Sequence, residues 1–215
     1  MKQVYVFDLD GTLLDSTGVW HTIDEEFLGK RGLCLTQDYA DAVSVMHLQQ
    51  AAVYTIERFS LQETVEDVAA EWEEMAYEFY ATRVQAKAGA LAYLANLCAR
   101  GERVVLATAL SRKLAEAALN RLNMAAFFET VIYADEIGLG KTSAAFYVAT
   151  AEMLGVAPAV CVMYEDTLRG VCSAKEAGMY TVAIEDAGSC DNREEIRRTA
   201  DEYWTNYIIE NGEQE

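Results

Sequence analysis

Val4-Tyr5-Val6-Phe7-Asp8-Leu9-Asp10-Gly11-Thr12 begins as an unbroken apolar run and stops abruptly at two carboxylates and a glycine. Four apolar residues without polar alternation fit a short strand buried on both faces of a sheet. From Gly89 onward the chain repeats that theme with helical stretches between. Helical spacing over Ala90 to Arg100 ends at Gly101, and Val104-Val105-Leu106-Ala107 reads as the next strand. A helix over Arg112 to Leu122, a strand at Thr130-Val131-Ile132-Tyr133 and a helix over Ser143 to Leu154 follow. Val160-Cys161-Val162-Met163-Tyr164, a helix reaching Ala177 and Thr181-Val182-Ala183-Ile184 complete the series. Strands alternating with helices predict right-handed crossovers and a parallel, doubly wound α/β sheet. Between about Val19 and Thr82 the pattern is helical throughout, so a helical segment interrupts the alternation just after the first strand. Trp72, Met75, Tyr77 and Phe79 lie in its clearest helix and read as packing residues.

In an open parallel sheet, ligands bind beyond the carboxyl ends of the strands. The residues at those ends are Asp8 and Asp10, Thr108, Glu165 and Asp166, with Lys141 on a connecting segment. Each has a plain structural explanation taken alone: a turn aspartate, a helix cap, a solvated lysine, an acidic helix start. Together they form the set that phosphoryl transfer needs. A phosphate ester repels an attacking carboxylate, and a divalent cation held by one or two carboxylates offsets both charges. Asp8 and Asp166 are the candidate ligands, with Glu165 beside them. An aspartate can carry an acyl-phosphate, a second acid such as Asp10 can shuttle the proton, and Lys141 with Thr108 can steady the transferring group.

Composition narrows the alternatives. Seventeen basic against thirty-five acidic residues give a net charge of −18 in 215 residues, which excludes a nucleic-acid binder that works by neutralising phosphates. The same charge disfavours an anionic substrate, unless a bound cation inverts the local field. No run is long and apolar enough for a membrane span, and Met1 leads directly into a strand without a signal-like segment. A soluble cytoplasmic protein is the expectation. Cys34, Cys98, Cys161, Cys172 and Cys190 form no CxxC pair, so zinc and disulfide readings fall away. Cys98 and Cys161 stand in apolar runs and read as small core hydrophobes. The acidic tail from Glu210 reads as frayed.

The stretch from Val6 to Ser16, Phe-Asp-Leu-Asp-Gly-Thr-Leu-Leu-Asp at its centre, resembles the first motif of the haloacid dehalogenase-like (HAD) superfamily. Val105 to Thr108 is similar to the second motif, Lys141 to the third, and Val162 to Val171 to the fourth. Four motifs in order, running from Val4 to about Ile184, far exceed what one short match would mean. The resemblance implies a Rossmann-like core over residues 1–15 and 85–215, with a small helical cap inserted over 16–84. It implies Asp8 as nucleophile and metal ligand, and Asp10 as acid/base offering its main-chain carbonyl to Mg2+. It also implies Thr108, Lys141 and the Ala109 N–H as the phosphate grip, Asp166 as the second side-chain ligand and Glu165 just outside. Two departures stand out: Thr142 follows the lysine where relatives often carry proline, and Ser143-Ala144-Ala145 replaces the usual helix start.

The expected activity is Mg2+-dependent hydrolysis of a small phosphorylated metabolite, with the cap choosing the substrate. The runner-up is a sugar phosphomutase of the beta-phosphoglucomutase kind, with the same core chemistry. Such mutases tend to hold a second phosphate with a cap arginine, and no Arg or Lys occurs between Ala40 and Glu57. A dehalogenase would need neither a metal nor Asp10, and a non-catalytic binding protein would not need the Asp8–Asp10 pair. His21 and His47 read as cap residues outside the chemistry. Trp20, Met46 and Tyr54 are candidates to line the cap, each with packing as its plainer role. The sequence fixes neither the oligomeric state nor the particular metabolite.

Overall fold

A computed structural model describes residues 3–43, 46 and 48–207; His47 and the tail from Glu210 lie outside them. The described residues divide into two compact units, those within 1–17 and 84–215, and those within 18–83.

The first unit is built on β1 (Val4–Phe7), β4 (Arg103–Thr108), β5 (Thr130–Tyr133), β6 (Cys161–Glu165), β7 (Tyr180–Ile184) and β8 (Glu202–Trp204). Between them run β2 (Leu14–Asp15), β3 (Gln85–Ala86), α5 (Ala90–Ala99), α6 (Arg112–Arg121), α7 (Ala134–Ile137), α8 (Ala144–Met153), α9 (Leu168–Glu176) and α10 (Arg193–Thr199). The six-stranded sheet has the order β5-β4-β1-β6-β7-β8, and every adjacent pair is parallel. This is the doubly wound α/β class that the alternating pattern predicts. β1 is central and all four of its residues are buried, as its unbroken apolar run requires. Val4 and Val6 join Val105, Ile132, Phe146, Met163 and Met179 in one core layer. Alternation turns Phe7 the other way, stacked on Tyr164 with ring centroids 4.2 Å apart. β2 and β3 form a separate two-stranded antiparallel ladder, Leu14 opposite Ala86 and Asp15 opposite Gln85.

The second unit holds α1 (Val19–Lys30), α2 (Gln37–Val43), α3 (Leu48–Phe59) and α4 (Val65–Thr82). Thr64 and Asp67 make a reciprocal capping box at the start of α4, satisfying N–H groups that the helix leaves open. Phe27 of α1 packs on Trp72 of α4 with centroids 5.2 Å apart. Trp72 and Met75 are buried as expected, but Tyr77 is 37% exposed. Helical spacing brings 72, 75, 76 and 80 to one face and rotates 77 away from it.

Other expectations also shift. Cys161 is buried, whereas Cys98 is exposed, because α5 turns Ala90, Leu94 and Leu97 inward and Cys98 follows one step round the helix. Packing does not account for Trp20, which is 44% exposed. β8, α7, α10 and the β2–β3 ladder have no counterpart in the apolar pattern. They are short, and β8 and α10 carry charged residues inside them.

Candidate active site

The sheet register explains why distant acids meet. Phe7 pairs with Leu106 on one side and with Tyr164 on the other. The next residues after Phe7 and Tyr164 are Asp8 and Glu165, so these two acids leave the sheet side by side, while β4 runs through Ala107 to end at Thr108. The Asp8 N–H donates to the Tyr164 carbonyl at 3.0 Å, carrying the ladder one step past the strand. Carboxylate oxygens of Asp8, Glu165 and Asp166 lie within 4.8 Å of one another, and all three residues are buried.

Lys141 reaches into this cluster from the segment before α8. Its Nζ lies 2.6 Å from Asp8 Oδ1 and 2.8 Å from Glu165 Oε2. Thr167 Oγ1 donates to the other oxygen of Glu165 at 3.0 Å and accepts the Gly170 N–H at 3.1 Å, capping α9. Thr12 Oγ1 donates to Asp166 Oδ1 at 3.1 Å. Thr108 accepts the Leu110 N–H at 3.0 Å, which leaves its hydroxyl proton available for a ligand, and Ala109 next to it is exposed. Asp10 is half-buried in the turn that follows β1.

Two glycines make the cluster possible. Gly11 has φ +69, and a Cβ there would collide with the Asp166 carboxylate. Gly170 has no room for a Cβ beside the Glu165 carboxylate. Thr12, Thr167, Gly11 and Gly170 were not singled out from sequence. Gly11 and Thr12 stand inside the first motif stretch and Thr167 and Gly170 inside the fourth, so their neighbourhood was within reach; the clearances that the two glycines provide had no signal of their own.

Charge counting tests the site for a metal. Three buried carboxylates face one ammonium, so a fully ionised cluster carries two negative charges in a poorly solvated pocket. That is the deficit a divalent cation cancels, and an all-oxygen donor set suits Mg2+. Without it the cluster resists ionisation. Burial, then the charge of Asp8, push the Glu165 carboxyl up to about 7 against the pull of Lys141. Burial, then Glu165 and Asp8, hold Asp166 well above the usual carboxylate range. Burial opposes the Lys141 charge, but Asp8 and Glu165 outweigh it and raise its pKa.

A carboxyl whose folded pKa is raised stabilises the fold fully below its unfolded value, about 4. That contribution fades as pH climbs through the folded value. Metal-free protein should therefore lose melting temperature between pH 5 and pH 8, while the stabilisation by added Mg2+ grows over the same range. Metal binding should also release protons, seen as a calorimetric heat that varies with buffer ionisation enthalpy. Equal Mg2+ stabilisation at both ends of that range would contradict the reading.

The sequence profile of the haloacid dehalogenase-like hydrolases matches residues 2–178. The chain belongs to that family. Hexitol phosphatase A of Escherichia coli is 29% identical over 183 residues, covering 84% of this chain and 82% of the relative. The phosphorylated carbohydrates phosphatase of Thermotoga maritima is 22% identical over 180 residues, covering 84% and 83%. The crystal structure of CbbY from Rhodobacter sphaeroides in complex with phosphate shares the fold, with a TM-score of 0.77, 20% identity and coverage of 96% and 95%. The chain thus groups with the phosphatases of this hydrolase family. Among the described residues, no helix is long and apolar enough to cross a membrane.

Proposed function

We propose that this HAD-like hydrolase is a Mg2+-dependent phosphatase of small phosphorylated sugars or sugar alcohols. The carrying observation is the buried cluster of Asp8, Glu165 and Asp166 against the single ammonium of Lys141. The named activities of the carbohydrate-phosphate and hexitol phosphatases point to the substrate class.

Asp8 and Asp166 would hold Mg2+ by their carboxylates and Asp10 by its main-chain carbonyl, with Glu165 fixed from outside by Lys141 and Thr167. When bound, the ion supplies the positive charge that lets an anionic nucleophile approach an anionic ester. An Asp8 oxygen attacks phosphorus in line with the ester oxygen, and the P–O bond to the sugar breaks. Asp10 delivers its proton to that leaving oxygen. Asp10, now a base, takes a proton from water as it attacks the acyl-phosphate, and phosphate departs with Asp8 restored. Lys141, the Thr108 hydroxyl and the Ala109 N–H hold the oxygens on which charge accumulates.

Hydrolysis is favoured over phosphomutation by the electrostatics of the helical unit. A mutase of this kind must hold a bisphosphate, which takes a second cationic grip. Every Lys and Arg between 18 and 83 already faces a carboxylate of the same unit. Lys30 pairs with Glu71 at 3.0 Å, Arg31 with Glu63 and Glu71 at 2.9 and 2.7 Å, Arg58 with Asp38 at 2.5 Å, and Arg83 with Glu26 at 3.2 Å. We take this unit as the cap that selects the substrate.

A panel of hexose, hexitol and pentose monophosphates, assayed for released phosphate with and without Mg2+, tests the reading. Metal-dependent release from at least one sugar monophosphate is expected. Conversion of hexose 1-phosphate to 6-phosphate without phosphate release would assign the chain to the mutases instead.

A further inference from the structure

The turn between Asp8 and Leu14 carries two of the proposed metal contacts, and something must hold it still. Inside the turn, Leu13 and Leu14 both donate to the Leu9 carbonyl at 2.9 Å, and the Gly11 N–H donates to Ser16 Oγ at 3.2 Å. Thr12 is fully buried, and its hydroxyl already holds Asp166. Its main-chain carbonyl needs a donor of its own. That donor comes from the far end of the chain: the Tyr207 hydroxyl lies 3.1 Å from the Thr12 oxygen.

Tyr207 is 5% exposed, and burial, then Tyr93 and the carboxylates of Asp166 and Asp8, keep its phenol protonated. Its ring packs on Tyr93 at 5.5 Å and Trp204 at 6.2 Å. Gly89, at φ +80, has no room for a Cβ because the Tyr207 carbonyl lies there. The tyrosine is therefore seated from the ring side and the backbone side before its hydroxyl meets the turn. It also stands beyond residue 178, where the family match stops.

We infer that Tyr207 is a positioning residue for the metal centre. Its hydroxyl fixes Thr12, and Thr12 in turn fixes the Asp166 carboxylate and the turn bearing the Asp10 carbonyl. This rests on the metal-dependent reading above, so the test reads metal binding directly and not turnover alone. Mn2+ titration of the intact chain, followed by electron paramagnetic resonance well below the melting temperature, compares wild type with Tyr207→Phe and Tyr93→Phe. Tyr93→Phe is the packing control: it removes a hydroxyl from the same aromatic cluster, where Tyr93 and Tyr164 share a hydrogen bond of 2.6 Å, without touching the turn.

Tyr207→Phe should weaken Mn2+ binding by about three- to ten-fold, the range expected for one lost buried hydrogen bond. It should raise the Mg2+ concentration for half-maximal hydrolysis by a similar factor and leave the KM for substrate at saturating metal unchanged. Tyr93→Phe should leave Mn2+ affinity within two-fold of wild type. Tyr207→Phe binding as tightly as wild type, or Tyr93→Phe weakening it equally, overturns the inference and makes the residue ordinary packing. Wild type that binds no Mn2+ removes the metal centre itself, and this inference with it.

Discussion

Replacing Asp8 by asparagine is expected to abolish hydrolysis of an aryl phosphate, by at least about 10³-fold, while the protein stays folded. The substitution keeps the shape of the side chain, so the core around β1 does not change. An amide cannot form an acyl-phosphate under these conditions, and its neutral oxygen is a weaker ligand for a cation than the carboxylate. The fold survives because Lys141, 2.6 Å from Asp8, keeps its second partner Glu165 at 2.8 Å. Circular dichroism melts confirm folding, phosphate release gives the rate, and mass spectrometry excludes deamidation back to aspartate. A variant retaining a tenth of wild-type turnover would take the nucleophile role from Asp8.

Asp10→Asn should cost about 10²- to 10⁴-fold in turnover on a sugar phosphate, the usual worth of a positioned acid/base. The loss should depend on the leaving group. A sugar alkoxide is a poor leaving group and needs the proton in the first step; a nitrophenolate departs without it. The first step with the aryl ester should therefore survive better than with the sugar ester, and acyl-phosphate should accumulate because the second step still lacks its base. Burst kinetics with the aryl ester read this directly. Metal binding should persist, since the proposed contact from this residue is its main-chain carbonyl. Identical losses on both esters, with no burst, would mean that Asp10 acts on geometry and not on protons.

Much of the fold was legible because buried parallel strands announce themselves. Val4-Tyr5-Val6-Phe7 and Val162-Met163-Tyr164 have no polar residue to spare, and each ends where carboxylates begin. Lone short elements left no such mark. Glu202-Tyr203-Trp204 is three residues at the sheet edge with a charged first member, too brief for a periodic signal. The inward face of a helix was readable only approximately, as Tyr77 and Cys98 show: one residue along a helix is 100° of rotation, enough to move a side chain from core to water.

By itself, the sequence determined the α/β class and which residues stand at the carboxyl ends of the strands, because hydrophobic runs must be buried and ionisable groups must not lie within them. Tertiary structure alone decided which of those ends are neighbours. The order β5-β4-β1-β6-β7-β8 sets β1 beside both β4 and β6, and the alternating pattern would permit other orders. From that order follow the bridge from Lys141 to Asp8 and Glu165, the clearance above Gly11 and Gly170, and the reach of Tyr207 to a carbonyl 195 residues away. Such contacts depend on distances of a few tenths of an ångström between segments remote in the chain, and local pattern carries no record of them.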